Sequence, residues 1–214
     1  MAKTDDLIDR LVGELKPVPR GALGRMLSLA ILPGFVVSAV LLFLAHGFRP
    51  DVAQALYQPA FWAKGIYPLA LAITGLVAMM VVARPGGVPK MSGLTSLGIY
   101  LLLVGLGLWQ LHVAASADYP RMIFGRSAWF CPFIITATAL PVFAGNIWFL
   151  RRAAPTAPRL AGFVAGMSAG AVGAWIYSWG CIENGLTFVA LWYTLGIVLM
   201  GVIGTLCGRR FLSW

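Results

Sequence analysis

Both histidines and two of the three cysteines are the side chains of this sequence best suited to bind a soft metal ion. They are His46, His112, Cys131 and Cys181. Imidazole and thiolate groups together form many zinc sites, and two thiols alone form disulfides in oxidising compartments. No two cysteines have CxxC spacing, so the common metal-ligand and thiol-oxidase motifs are absent. These residues could equally be small buried or interfacial side chains.

Motifs that would indicate an enzyme are missing from the rest of the sequence. The chain has only 7 Asp and Glu residues, and four of them fall before Leu15. No two carboxylates are placed for acid–base catalysis, and no GxSxG, P-loop or HExxH motif occurs. The sequence therefore predicts a protein that is not an enzyme and that requires no resident cofactor.

Six apolar segments position the four candidate ligands. Each segment has close to the ~20 apolar residues that cross a ~30 Å hydrocarbon core. The predicted spans are Met26–Ala45, Tyr67–Ala83, Leu94–Ala114, Trp129–Leu150, Leu160–Trp179 and Leu186–Cys207. The predicted fold class is an all-α integral membrane protein, a bundle of six transmembrane helices preceded by a short amphipathic helix.

The 16 basic residues are distributed unevenly between the two sides of these spans. One side has Lys3, Arg10, Lys16, Arg20, Arg25, Arg84, Lys90, Arg151, Arg152, Arg159, Arg209 and Arg210. The other side has Arg49, Lys64, Arg121 and Arg126. Positive charge stays on the cytoplasmic side, so both termini are predicted to be cytoplasmic. This topology puts all four candidate ligands at the outer ends of their helices and Cys207 at the opposite end.

Composition supports a membrane protein with little soluble structure. Hydrophobic residues make up 60% of the chain and charged residues only 11%, whereas soluble domains have about a quarter charged residues. The net charge of +9 is explained by basic residues that flank the spans and face anionic lipid, not by nucleic acid binding. The predicted organisation is a cytoplasmic partner-binding segment at 1–25, a membrane domain at 26–208 and a cytoplasmic tail at 209–214.

The first 25 residues contain an amphipathic helix. Thr4 is a suitable N-cap. The negative charges of Asp5 and Asp6 in the first turn interact favourably with the helix dipole. Leu7, Ile8, Leu11, Val12 and Leu15 share one face. Helices that lie on lipid are usually basic, whereas this one is acid-rich, which favours a protein partner. The predicted contact residues are Asp5, Asp6, Leu7, Ile8, Leu11 and Leu15.

The spans themselves favour close helix packing over ion transport. No Asp or Glu lies inside any predicted span, although ion-coupled transporters usually place carboxylates there. Gly162, Gly166 and Gly170 recur every four residues, as do Gly204 and Gly208. Such stripes let helices approach closely, and we expect them to pack inside the bundle more than between two copies.

Several short motifs, in a constant order, resemble the NrsF-type membrane anti-sigma factors. They are Thr4-Asp5-Asp6-Leu7-Ile8-Asp9, Leu15-Lys16-Pro17-Val18, Phe48-Arg49-Pro50-Asp51, Trp129-Phe130-Cys131, Phe188-Val189-Ala190-Leu191-Trp192 and Gly208-Arg209-Arg210. Each motif is short, but together they cover the chain from residue 4 to its C-terminus.

The resemblance implies a multi-pass protein of the bacterial inner membrane that holds an extracytoplasmic-function (ECF) sigma factor inactive. It further implies release of the sigma factor under heavy-metal or oxidative stress, sensed by two periplasmic cysteines at the positions of Cys131 and Cys181. Many members of this family have a histidine beside the second cysteine, where this chain has Gly180. The thiols are therefore the main candidates for sensing, with heavy metal bound only transiently.

Two other functions fit the same residues. A small metal transporter or exporter could use His46, His112, Cys131 and Cys181 to take up metal, but the spans lack carboxylates. A membrane thiol oxidoreductase is disfavoured by the missing CxxC motif. The sequence predicts a lipid bilayer and a sigma factor as partners and no direct contact with nucleic acid, and it leaves homo-oligomerisation open.

Overall fold

The computed structural model describes residues 12–13, 19, 21–47 and 49–213, and these residues form helices and no strands. Six helices are long and apolar enough to span a membrane: α1 (Ala22–His46), α2 (Pro59–Val82), α3 (Lys90–Val113), α4 (Cys131–Ala153), α5 (Pro158–Ser178) and α6 (Leu186–Phe211). Short helices at Val52–Ala55 and Tyr119–Phe124 lie in two of the connections. The predicted all-α fold with six spans is confirmed, and the protein is a multi-pass membrane protein.

The amphipathic helix predicted before α1 lies almost wholly outside the described residues. Val12 and Gly13 are helical and exposed. The six predicted contact residues, Asp5, Asp6, Leu7, Ile8, Leu11 and Leu15, are not among those described, so their role stays a prediction.

One helix boundary differs clearly from the predicted one. Helix α2 begins at Pro59 and not at Tyr67, so Lys64 lies inside the helix and not in a loop. The prediction was wrong because a charged residue lowers the apolar character of any window that contains it. The structure gives Lys64 polar partners and buries its side chain completely, as described below.

Helix α5 is the centre of the bundle and α3 is at its periphery. Within the most apolar membrane-length window of each helix, 78% of the α5 residues are buried, compared with only 11% of the α3 residues. Helix α5 packs against α6, α2 and α4, while α1 packs mainly on α4. Helix α3 contacts α2 and the start of α6. The bundle therefore surrounds α5.

Glycines allow a very close contact between α5 and α6. A Cβ atom on Gly162 would overlap the backbone oxygen of Gly204, and one on Gly166 would overlap that of Met200. From the other side, a Cβ on Gly208 would overlap the backbone oxygen of Pro158. The glycine stripes therefore pack inside the bundle, as predicted.

Polar side chains also join helices, as the following two pairings illustrate. Asn146 of α4 donates hydrogen bonds from Nδ2 to the Ala165 carbonyl (3.0 Å) and to Ser168 Oγ (2.9 Å), both on α5. The hydroxyl groups of Thr74 in α2 and Ser96 in α3 are 2.9 Å apart. These residues bond between helices and do not form a chain of polar groups through the described part of the bundle.

The antiparallel helices give the bundle two different ends. At the cysteine end, where α1, α3 and α5 end, lie Cys131 and Cys181 with the described acidic residues Asp51, Asp118 and Glu183. The opposite end, here called the arginine end, carries Arg25, Arg84, Lys90, Arg151, Arg152, Arg159, Arg209 and Arg210. Among the described residues the arginine end has no carboxylate side chain.

Candidate functional site

The two cysteines at the cysteine end are buried close to each other as free thiols. Cys131 is the first residue of α4 and is 0% exposed, while Cys181 follows α5 and is 4% exposed. Tyr177 and Tyr193 lie beside them with ring centroids 5.7 Å apart, and both tyrosines are near enough to interact electrostatically with both thiols. The structure thus gathers the two predicted sensor residues around a tyrosine pair.

The two histidines do not complete a metal site with these cysteines. His46 is exposed and packs edge-on against Tyr177, with ring centroids 6.3 Å apart. His112 is exposed on the peripheral helix α3 and packs against Trp109. In the described ranges, no three His, Cys, Asp or Glu side chains are grouped to hold a metal ion. Of the four-residue set, Cys131 and Cys181 lie close together, and His46 shares a cavity with Cys181 without completing a metal site.

Lys64 is a buried cation that holds the segment carrying Cys181. Its side chain is 0% exposed, and Nζ donates hydrogen bonds to the backbone oxygens of Cys181 (2.6 Å) and Glu183 (2.8 Å). Burying an ammonium group is very costly unless hydrogen bonds replace those from water. Within the described residues its partners are these carbonyl groups and not a carboxylate.

Arg49 reaches the same carbonyl from the α1–α2 connection. Its guanidinium donates two hydrogen bonds of 2.7 Å to the two carboxylate oxygens of Asp51, and others to the Cys181 carbonyl (3.4 Å) and to Asn184 Oδ1 (3.3 Å). The hydrogen bond between Arg49 and Asp51 raises the pKa of the guanidinium and lowers the pKa of the carboxyl group. We call Arg49 and Lys64 the cation clamp, because both donate to the Cys181 backbone.

Glu183 links the Cys181 segment to the chain that leads into Cys131. Its Oε1 accepts a hydrogen bond of 2.8 Å from the backbone N–H of Arg126. Gly125 makes room for this carboxylate, because a Cβ there would lie 2.6 Å from Glu183 Cδ and the residue has a φ of +53°. The two cysteine-bearing segments are thus joined directly by the Glu183 side chain.

A π-helical turn over Val189–Tyr193 interrupts the start of α6 next to the thiols. Single π turns are rare and often occur at functional sites. Tyr193 is 0% exposed, and its hydroxyl lies close enough to Cys181 to interact with that thiol. The helix is therefore irregular at the point where it meets the cysteine pair.

A cavity of about 530 Å³ opens beside this pair and reaches only one of the two cysteines. Cys181 lines it together with His46, Ser127 and Tyr177, whereas Cys131 does not. Cys181 is therefore the thiol that a small reagent meets first. Cys207, half-buried near the far end of α6, is remote from this arrangement.

Comparison with known proteins assigns the chain to a family. The family described as "Negative regulator of sigma F" (NrsF) matches residues 11–214. The chain belongs to the NrsF family. The expected resemblance is thereby confirmed over nearly the whole sequence.

Two relatives are similar to this NrsF-family chain over their full length. The anti-sigma-F factor NrsF of Caulobacter vibrioides (strain NA1000 / CB15N) is 35% identical over 213 residues, which cover 99% of this chain and 100% of the relative. The probable anti-sigma-F factor NrsF of Azospira oryzae (strain ATCC BAA-33 / DSM 13638 / PS) is 34% identical over 216 residues, with coverage of 99% and 100%. No solved structure matches the chain.

Sequence reasoning missed three residues that shape the site in this NrsF-family chain. Lys64 was assigned to a loop, and Arg49 and Glu183 had no assigned role. Two weak signals were present: a single lysine flanked by apolar helix-forming residues, and an arginine and a carboxylate two positions apart. Neither signal indicates that their contacts converge on the Cys181 segment.

Proposed function

We propose that this NrsF-family chain is a membrane anti-sigma factor, which binds an ECF sigma factor and keeps it from RNA polymerase. The observation that carries the proposal is the full-length similarity to two relatives whose names describe anti-sigma-F factors. Six spans leave little chain for anything but the membrane bundle and a short N-terminal segment. The partner contact is assigned to that segment, through Asp5, Asp6, Leu7, Ile8, Leu11 and Leu15.

The proposed location is the bacterial inner membrane, with both termini in the cytoplasm. Support comes from the basic residues of the arginine end, since positive charge favours the cytoplasmic side. A reporter that is active only in the periplasm should be silent when fused after Trp214 and active when inserted within residues 115–121. The opposite pattern would reverse the orientation.

Signal detection is assigned to Cys131 and Cys181 at the periplasmic side. An oxidant can take two electrons from the thiols, with loss of two protons, to form a disulfide. A soft metal ion such as Cd²⁺ can instead displace the two protons and bind both sulfurs. Either reaction draws together the start of α4 and the segment after α5, whose burial and closeness support the assignment.

The cation clamp gives the signal a path to the rest of the bundle. Any displacement of the Cys181 backbone weakens its hydrogen bonds to Lys64 of α2 and Arg49 of the α1–α2 connection. A buried ammonium that loses its acceptors favours a different helix arrangement. A coupling of ~1–3 kcal/mol between the two ends is enough to change partner affinity about 5- to 150-fold.

The decisive experiment for anti-sigma function combines binding and transcription. Full-length chain in detergent should retain an ECF sigma factor of its own organism, and deletion of residues 1–20 should abolish retention while the bundle still accumulates in the membrane. Failure of the full-length chain to bind or repress that sigma factor would overturn the proposal.

The sensor assignment is tested separately with single serine variants. Cys131→Ser and Cys181→Ser should keep repression but lose induction by metal or oxidant, because the repressing state needs no thiol chemistry. Cys207→Ser is the matched control and should respond as the unaltered chain does. Normal induction in both of the first two variants would remove the cysteines from the mechanism and leave the anti-sigma proposal standing.

A further inference from the structure

A large cavity lies between the peripheral helix α3 and the rest of the bundle. It measures about 610 Å³ and is bounded by α2, α3, α5 and α6. Most of its lining is apolar, with Leu71, Ala78, Leu97, Phe163 and Val198 among the lining residues. Leu97, Phe163 and Val198 are 38–52% exposed, so this apolar surface opens toward the surrounding hydrocarbon. The volume is about four times that of a ~150 Å³ apolar cavity that stays dry and binds benzene.

Four of the hydroxyl groups that line this cavity are already paired with one another. The hydroxyl groups of Thr74 and Ser96 pair at 2.9 Å, and those of Tyr67 and Thr194 pair at 2.7 Å. A buried water needs two to four polar partners, and hydroxyl groups that are already paired offer it fewer. An empty space of this size would deprive its lining of dispersion contacts. The chemistry of the lining therefore selects a hydrocarbon occupant.

One end of the cavity lies at the arginine end of the bundle and carries positive charge. Lys90, the first residue of α3, lines the cavity together with Ser92 and Gly93. Helix α3 begins there with no capping side chain and no acidic residue in its first turn, so its partial positive charge is uncompensated by the described chain. Arg84 and Arg159 belong to the same end, which lacks described carboxylates.

We propose that this cavity is a binding site for an anionic phospholipid, with one acyl chain between α3 and the bundle and the phosphate beside Lys90. The apolar volume fits the chain, and the basic end of the cavity fits the headgroup charge. The proposal is independent of sigma factor binding, since it uses only the membrane domain. Bound lipid would fill the space that lets α3 pack so loosely.

The test uses native mass spectrometry of the purified full-length chain with added phosphatidylglycerol or phosphatidylcholine of identical acyl composition. The unaltered chain should retain phosphatidylglycerol at least about tenfold more than phosphatidylcholine. Lys90→Gln should remove this preference, whereas Arg84→Gln, at the same end but outside the cavity lining, should keep it. Equal retention of the two lipids by the unaltered chain would overturn the proposal.

A matched pair of glycine variants tests the position of the acyl chain. Gly93 and Gly98 both lie on α3, and a Cβ on either would meet no atom within 4 Å, but only Gly93 lines the cavity. Gly93→Leu should lower lipid retention about tenfold and Gly98→Leu should not. Equal retention in the two variants contradicts the proposed site.

A crosslinking measurement needs no substitution and covers the case in which Gly93→Leu does not fold. Phosphatidylglycerol with a photoreactive diazirine in its acyl chain should crosslink to cavity residues such as Leu71 and Phe163. Crosslinks confined to outward-facing residues of α1, such as Leu29 and Leu44, would show a general lipid annulus and overturn the proposal.

Discussion

The ammonium nitrogen of Lys64 lies 2.6 Å from the backbone oxygen of Cys181, which joins the second helix directly to one of the two sensor candidates. The two residues are 117 positions apart in the sequence. Since the ammonium is fully buried, its position depends on this acceptor and on the Glu183 carbonyl. The state of the Cys181 segment and the packing of α2 are therefore linked.

Lys64→Met should loosen the segment that carries Cys181. The substitution leaves the buried carbonyl of Glu183 without the donor it has in the structure, at a cost of about 1–3 kcal/mol. We expect a lower thermal midpoint for the purified chain and faster alkylation of Cys181 by N-ethylmaleimide in membranes. Arg84→Met, at an exposed site at the other end and outside the lining of the large cavity, is the control. Unchanged alkylation and stability would show that the hydrogen bonds from Lys64 do not hold the Cys181 segment in place.

Cys181 should react with small thiol reagents before Cys131 does. Cys181 lines the 530 Å³ cavity, whereas Cys131 is completely buried and does not line it. Alkylation rates are to be compared in two chains that each retain one of these cysteines and have serine at the other positions. Several-fold faster labelling is expected at Cys181. Equal rates, or faster labelling of Cys131, would mean that the cavity is not the route of access.

The ion pair of Arg49 and Asp51 should make stability depend on pH in the acid range. The hydrogen bond to Arg49 lowers the pKa of Asp51 below its ordinary value. A lowered folded-state pKa gives stability that is present above the unfolded value of about 3.9 and is lost as pH falls through the folded value. Asp51→Asn should thus lower the thermal midpoint at pH 7 and make no difference once the pH is below the folded-state pKa of Asp51.

Asp118→Asn is the control for that titration. Asp118 lies at the same end and forms no ion pair with any described residue. Its substitution should leave the midpoint unchanged at both pH values. A deficit of Asp51→Asn that persisted at low pH would show that the ion pair is not its cause.

Leu11→Glu should switch on sigma-dependent transcription without stress, if the N-terminal segment binds the sigma factor through its apolar face. A charge placed in a buried apolar contact costs several kcal/mol. Gly13→Glu adds the same charge outside the apolar stripe and should still repress. The readout is a sigma-dependent reporter in strains with equal amounts of each variant. Full repression by Leu11→Glu would rule out this contact.

Gly166→Ala should destabilise the bundle by about 1–3 kcal/mol, because the added methyl group would overlap the backbone oxygen of Met200 at the α5–α6 contact. Gly98→Ala adds the same group to open space on α3 and should be neutral or slightly stabilising. Thermal unfolding in detergent distinguishes the two. Equal midpoints would mean that α5 and α6 do not pack as closely as the structure indicates.

Hydropathy predicts the spans well because the hydrocarbon core requires apolar residues over a fixed length. It fails at α2, where Lys64 interrupts the apolar pattern although carbonyl groups satisfy its charge inside the protein. Alternation of helix direction correctly predicts that Cys131 and Cys181 share one end. The end of the bundle at which a residue lies can thus be predicted from the local sequence.

Neighbour relationships around the bundle are not encoded in the same way. His112 shares the cysteine end but lies on the peripheral helix α3, so it faces Trp109 and joins no cluster with the thiols. Arg49 meets the Cys181 carbonyl across 132 positions of sequence. No periodicity in the sequence predicts such contacts, since they depend on which helices become adjacent in the bundle.

The central position of α5 has a consequence for biogenesis. Its most apolar window is the least hydrophobic among the six spans, although α5 is the most buried of them, because its small residues suit neighbouring helices better than lipid. If α5 left the translocon without a neighbouring helix, it would partition only weakly into the bilayer. The following helix α6, with a mean hydropathy of 2.2, partitions strongly and joins α5 through a short connection. The two are thus suited to enter the bilayer as a hairpin, and a ribosome that stalls before α6 would leave α5 poorly inserted.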